Sequence, residues 1–222
     1  MAYSGVEPGR NLTNSQFEDA KIGSLYHTFF LKSQLEQILN REDFVGIKMY
    51  PARNEETDVI IAAGVTKFKH DEPGPYLLGS DRLENEGIWI EDIYIATQHA
   101  LQQETLKDTI LSTPEEIPEN SHHRIELFNV YFSRQALQQV MDVNDCFAIG
   151  FYYSRFLVSD WSGEYLTLTA VPVNESGEAL TIASDEGEGF ALMSPMPCPP
   201  DCGETYLNPH RLLDHIENSS SA

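Results

Sequence analysis

The residues able to do chemistry in this chain are few, and the most suggestive come in pairs. Arg53 and Arg155 end two stretches that match each other, and each follows a tyrosine by three residues, Tyr50 and Tyr152. Two arginines related in this way can hold an anion by bidentate hydrogen bonds in a cleft lined by both Tyr/Arg pairs. Alternatively, each arginine ties its own stretch together, for instance to Asp43 or Asp145. The second unusual motif is Cys198-Pro199-Pro200-Asp201-Cys202. Its two prolines fix φ and carry no N–H, so it can be neither helix nor central strand and is expected to turn. A structural turn with packed thiols is the reading adopted; a reversible disulfide or a metal site recruiting His210 or His215 are its alternatives. CxxxC is not zinc-knuckle spacing, and no second Cys pair exists. His210 and His215 would lie about 140° apart on a helix, and neighbours His122 and His123 point to different sides of any regular element. Glu84, Glu86, Glu91 and Asp92 could form an acid/base pair, but 35 acids make such neighbours common by chance. No GxGxxG, GxxxxGK[ST], HExxH or GxSxG occurs. No catalytic residue, metal ligand or cofactor is therefore assigned.

The matching stretches show what must position these residues. Leu25–Arg53 matches Leu127–Arg155 over 29 residues without a gap, with 8 identities: Leu25/Leu127, Phe30/Phe132, Leu35/Leu137, Gln37/Gln139, Asp43/Asp145, Ile47/Ile149, Tyr50/Tyr152 and Arg53/Arg155. After a loop of different length, DVIIAAGV (Asp58–Val65) matches EYLTLTAV (Glu164–Val171). Leu31, Leu35, Ile38 and Leu39 make one helical stripe, as do Leu137, Val140 and Met141. A polar break follows, and then Val45, Ile47 and Met49 alternate, as do Phe147, Ile149, Phe151 and Tyr153, predicting a strand. Gly46 and Ala148 on the opposite face permit close approach of another backbone. A loop and a second antiparallel strand complete a helix–strand–strand unit. One such unit buries too little apolar surface alone. The fold class expected is thus α+β: a tandem pseudo-repeat forming an antiparallel sheet with helices packed on one face.

Composition bounds the partners. Net charge is −21, from 14 Lys and Arg against 35 Asp and Glu. Nucleic acid and anionic membrane surfaces need a basic footprint, so neither is expected as a partner. Phe156–Ala222 holds 11 acids and Arg211 as its one counter-charge, which serves solubility or offers a negative face to a basic partner or Ca²⁺. Ala183–Leu192 lacks EF-hand ligand spacing. No apolar run reaches the ~20 residues of a membrane span, and the N-terminus lacks the pattern of a secretory signal. Three cysteines are too few for a disulfide framework. Cys146 reads as a small buried hydrophobe, and a reducing, cytoplasmic compartment fits.

Met1–Thr13 reads as a mobile arm, and Asn14–Asp19 as the start of a short helix. Gly79–Arg124 has no partner in the second half; within it, a helix is predicted from about Glu91 to Lys107. Ser112–Asn120 is a linker by its prolines and charges. The chain then divides into 14–111, the first repeat with its helical insertion, and 122–217, the second repeat with the Cys-Pro turn and a C-terminal helix from Asn208 to about Ile216.

GIKMYPAR after a short helix, the GV ending of the following strand, and MPCPPDCG near the C-terminus together resemble an uncharacterised family of small bacterial proteins. That family carries a VGIR-x-YYA strand, a VGV strand and a terminal CPPxC turn. Here the strand motif stands at Val45–Arg53 and, degraded, at Phe147–Arg155, so the unit is duplicated. The resemblance implies a bacterial cytoplasmic protein and no particular catalysis. Duplicated units without a convergent polar site usually generate surfaces. The function expected is accordingly a non-enzymatic binding or assembly protein, acting on a protein partner or a second copy of itself. Its alternative is an enzyme or anion binder using Arg53, Arg155, Tyr50 and Tyr152.

Overall fold

The structure is a computed structural model and describes residues 9–21, 27–67, 72–100, 129–157, 164–184, 187–189, 191–194 and 197–198. The first half contains β1 (Arg10–Leu12), α1 (Asn14–Ala20), β2 (His27–Leu31), α2 (Lys32–Leu39), β3 (Phe44–Asn54) and β4 (Thr57–Thr66). Then come β5 (Tyr76–Leu78), β6 (Ile88–Ile90) and α3 (Ile93–Ala100). The second half has β7 (Asn129–Ser133), α4 (Arg134–Met141), β8 (Ala148–Leu157) and β9 (Glu164–Val173). Short strands β10 (Ile182–Ser184), β11 (Gly187–Gly189), β12 (Ala191–Met193) and β13 (Pro197–Cys198) follow.

Local chemistry accounts for these boundaries. Thr13 caps α1 in a capping box: its hydroxyl accepts from Gln16 N, and the Gln16 side chain accepts from Thr13 N at 3.0 Å. Ser133 caps α4 through Ala136 N at 3.2 Å. β3 and β4 pair from Gly46↔Val65 to Asn54↔Thr57, leaving Glu55 and Glu56 as a two-residue turn with Glu55 at φ 55.

The fold is α+β, with two large antiparallel sheets rather than the one shared sheet expected from the repeats. Their orders are β1-β12-β9-β8-β2 and β13-β7-β3-β4-β5-β6, and β10-β11 forms a separate hairpin. Nor do the helices keep to one face. On β3, Ile47 and Met49 pack in the main core with Leu35 of α2, while Tyr50 and Ala52 pack with Ala96 and Ala100 of α3. Both sheets contribute to that main core, which takes Phe30, Ile149 and Phe151 from one and Phe132 and Ile60 from the other. Phe151 makes edge-on ring contacts with Phe30 and Phe132 at 5.6 and 5.5 Å.

The sequence reading missed two strands, β2 and β7, which precede the helices; Leu31 ends β2 instead of opening the α2 stripe. Each of the two pairs with the long strand of the other half. Phe30 lies opposite Ile149 and Leu31 opposite Ala148. Correspondingly, Phe132 lies opposite Ile47 and Ser133 opposite Gly46. A Cβ on Gly46 would collide with Phe132 O and the Tyr131 ring, so the close approach expected at this glycine is where β7 crosses. The expected division between residues 111 and 122 therefore does not separate the sheets. The expected N-terminal arm is also partly structured, since β1 pairs with β12 and Leu12 is buried. Finally, Val65 opposes Gly46 whereas Val173 opposes Ala148. The second strands thus correspond two residues away from the match read in the sequence; an even offset leaves the faces unchanged. Among the described residues no helix is long and apolar enough to cross a membrane.

Candidate functional site

Tyr50 and Tyr152 do not come together. Tyr50 is fully buried in the cluster on the α3 side of the six-stranded sheet. Tyr152 packs against the cluster outside the five-stranded sheet, edge-on to Phe17 of α1 at 5.2 Å and 82°. Burial, with the Glu18 charge, raises its phenol pKa. Arg53 is half-buried, and its Nε and Nη2 both lie 2.8 Å from Asp58 Oδ1 across the hairpin. The tie is internal, though to Asp58 and not to Asp43. Arg155 belongs to β8 by its backbone, and its side chain lies outside the described residues. Cys198 is in β13, an edge strand opposite Asn129; Cys202 and the C-terminal helix expected at 208–216 lie outside the described residues. Cys146 is partly buried against the main core, and burial pushes its thiol up to about 11.

The structure instead assembles a polar cluster that the sequence reading passed over. Lys48 is on the same face of β3 as Tyr50 and is 0% exposed; Glu72 is 6% exposed. Lys48 Nζ lies 2.8 Å from Glu72 Oε1, and Tyr50 OH donates to the same carboxylate at 2.8 and 2.9 Å. Tyr76 OH donates to the Glu72 main-chain O at 2.7 Å, and burial together with the Glu72 charge raises its pKa strongly. Arg41 Nη1 donates to Gly74 O at 2.9 Å. A buried ammonium and carboxylate are tolerable only when paired and hydrogen-bonded, as these are. The cluster fixes residues 72–75 over β3, and so fixes the start of β5.

β5 leads to β6. Gln34 of α2 clamps Gly87, donating from Nε2 to its O at 2.9 Å and accepting from its N at 3.0 Å through Oε1. β6 then runs along β5 as the last strand of its sheet among the described residues. Asp92 caps α3 by accepting from Tyr94 N at 2.7 Å. Between β6, α3 and the end of β3 is a cleft of about 370 Å³, lined by Asn54, Leu78, Ile88–Asp92, Ile95 and His99. His99 Nδ1 is 2.7 Å from Arg53 O; a carbonyl only accepts, so Nδ1 carries the proton. Ile88, Tyr94 and Ile95 are 53%, 57% and 48% exposed. No family model, curated protein or solved structure matches the chain.

Of this region, Glu84, Glu86, Glu91 and Asp92 were singled out in the sequence as acids, and the helix around α3 was expected; its part beyond Ala100 lies outside the described residues. Lys48 and Glu72 did leave a signal. A lone lysine in the apolar run FVGIKMY requires a buried partner, and HDEPGP supplies a carboxylate in a turn. The cleft left none, because it needs β6 and α3 to fold back beside Asn54 at the end of β3. Among the described residues no three His, Cys, Asp or Glu side chains come close enough to hold a metal ion.

Proposed function

We propose that the chain is a binding protein that works through protein–protein contacts, and that β6 and α3 form the contacting face. The observation that carries this reading is the exposure of Ile88 and Ile95 in one cleft, with Tyr94 exposed beside them on α3, next to a strand that ends its sheet among the described residues. Exposed apolar groups gathered at the edge strand of a sheet are what interaction sites expose. Affinity capture from the native cell should recover partners with the intact chain and lose them with Ile95→Asp at unchanged unfolding midpoint. An unchanged partner set would refute the reading. The rival, an anion held by Arg53 and Arg155 beside Tyr50 and Tyr152, is not favoured: Arg53 is engaged by Asp58 and Tyr50 by Glu72. A bacterial cytoplasmic setting belongs to the same proposal and rests on the strand and turn motifs. So does the lack of nucleic-acid binding, which a gel shift at physiological salt would expose if it occurred.

We further propose that the chain arose by tandem duplication of a strand–helix–strand–strand unit, the two copies having exchanged first strands. Supporting this, Phe30↔Ile149 and Phe132↔Ile47 join residues that correspond in the 29-residue match, in the same register. Residues 1–115 and 116–222 expressed separately should each fail to give a folded monomer and should regain native circular dichroism when mixed. A cooperatively folded, monomeric half would end this account.

A further inference from the structure

We infer that the β6–α3 face takes an extended, basic and apolar segment of a partner protein, added as a strand along β6; this rests on the binding reading above and names the partner's chemistry. Among the described residues β6 is paired on one side, to β5. Among those residues its outer edge bears no strand, and such an edge offers main-chain donors and acceptors to an incoming extended chain. That edge is already held in place. The Gln34 amide makes both main-chain hydrogen bonds of Gly87, so little ordering of the receiving strand is needed on binding.

Side chains of an added strand alternate between its faces. Those facing α3 meet the 370 Å³ cleft where Ile88, Ile90 and Ile95 stand. An aliphatic or aromatic anchor fits such a space, and buried anchors carry most of an interface's affinity. Charge then selects the sign of the flanking residues. From Asp81 to Asp92 the chain has five carboxylates and Arg82 as its one cation, and Glu55 and Glu56 are exposed at the turn following Asn54. Lysine or arginine beside the anchor would be attracted and steered by this rim. A second copy of the chain fits badly: a two-fold contact would set each acidic rim against itself, in a chain of net charge −21.

The chain has two tryptophans, and Trp89 stands in β6 itself, bordering the cleft with its side chain partly buried against the main core, so Trp161→Phe leaves it as the sole indole reporter on the strand to be extended. Three short peptides with one leucine-rich centre and lysine, glutamate or serine flanks are titrated against this variant. The lysine peptide is expected to shift Trp89 emission saturably and to weaken as salt rises. The glutamate peptide should bind at least about tenfold more weakly. Glu84→Gln, Glu86→Gln and Glu91→Gln together should weaken the lysine peptide about fivefold to tenfold without changing the unfolding midpoint; Asp92 is left alone because it caps α3. If Trp161→Phe does not fold, amide NMR shifts of Ile88–Ile90 in the full chain give the same reading. Equal binding of all three peptides at this face would overturn the charge argument while leaving the binding proposal standing. No response at Ile88–Ile90 to any peptide, or a dimer in light scattering that Ile95→Asp abolishes, would overturn the inference.

Discussion

Strands β3 and β8 occupy matching places in the two sheets, yet their outward faces are built on opposite principles. Tyr50 and Tyr152 correspond in sequence, and two residues earlier β3 has Lys48 where β8 has Gly150. Over β3 lies the segment 72–75, and Tyr50 donates to a carboxylate that also binds a buried ammonium. Over β8 lies α1, and Tyr152 meets the edge of Phe17. The strand scaffold tolerates either arrangement; what differs is which connecting segment covers it. The covering on β3 also fixes the path into β5 and β6, and so into the open cleft. Over β8, α1 covers a face where Phe17, Val171 and Met193 share one apolar cluster.

The largest effect that tests this contrast comes from Lys48→Ala. Leaving Glu72 buried without its cation should cost about 3–5 kcal/mol in denaturant unfolding. Lys48→Met with Glu72→Leu should recover most of that loss, since apolar residues of similar volume often replace a buried pair at little cost. If the double variant is as unstable as the single one, the pair is not what stabilises this face. On the other sheet, Phe17→Ala should cost about 3 kcal/mol as a plain loss of buried ring, with no rescue by any charge change. Next in size is Gln34→Leu, expected to cost about 1–3 kcal/mol by stranding the two main-chain groups of Gly87. Faster amide exchange confined to β6 would be its mark; the matching position on α4 is Ala136, which bears no such clamp.

A smaller, pH-dependent effect is expected at Cys146, beside β8. Its thiol is raised from the ordinary 9.0 to about 11, chiefly by burial; the Glu36 charge adds to the rise, and the Lys32 charge and a Val173 main-chain hydrogen bond hold it back. The folded state therefore keeps its proton where the unfolded chain loses it. This contribution is whole below the unfolded value and is lost as pH rises through roughly 9 to 11. Cys146→Ala should flatten the fall in unfolding midpoint over that window. The smallest effect is at the β3–β4 turn. Glu55 sits at φ 55, and Glu55→Gly should stabilise by about 1 kcal/mol by removing the left-handed penalty.

Much of the fold was legible because its signals are local. The stripe of Leu35, Ile38 and Leu39, the alternation of Ile47 with Met49 and of Ile149 with Phe151, and the small residue at Gly46 each specify an element or a face within a few residues. β2 and β7 were not read because five-residue strands such as HTFFL, running straight into a helix, carry no turn signal to separate them. The Tyr/Arg pairs drew attention through the match between the two stretches, but a match in sequence does not bring side chains together, and Tyr50 and Tyr152 stand on two different sheets.

The amino-acid sequence by itself determined the α+β class, the helix and strand phases, the acidity, and the correspondence between residues 25–53 and 127–155. These follow from periodicity and composition, which act over one or two turns or strands. Only the tertiary structure decided that the first strands cross to the opposite sheet, that Lys48 finds Glu72, and that β6 and α3 border a cleft beside the end of β3. Each of those depends on which distant segments pack together, a choice made by burial of the whole apolar surface and by pairing of every buried polar group, not by any local pattern.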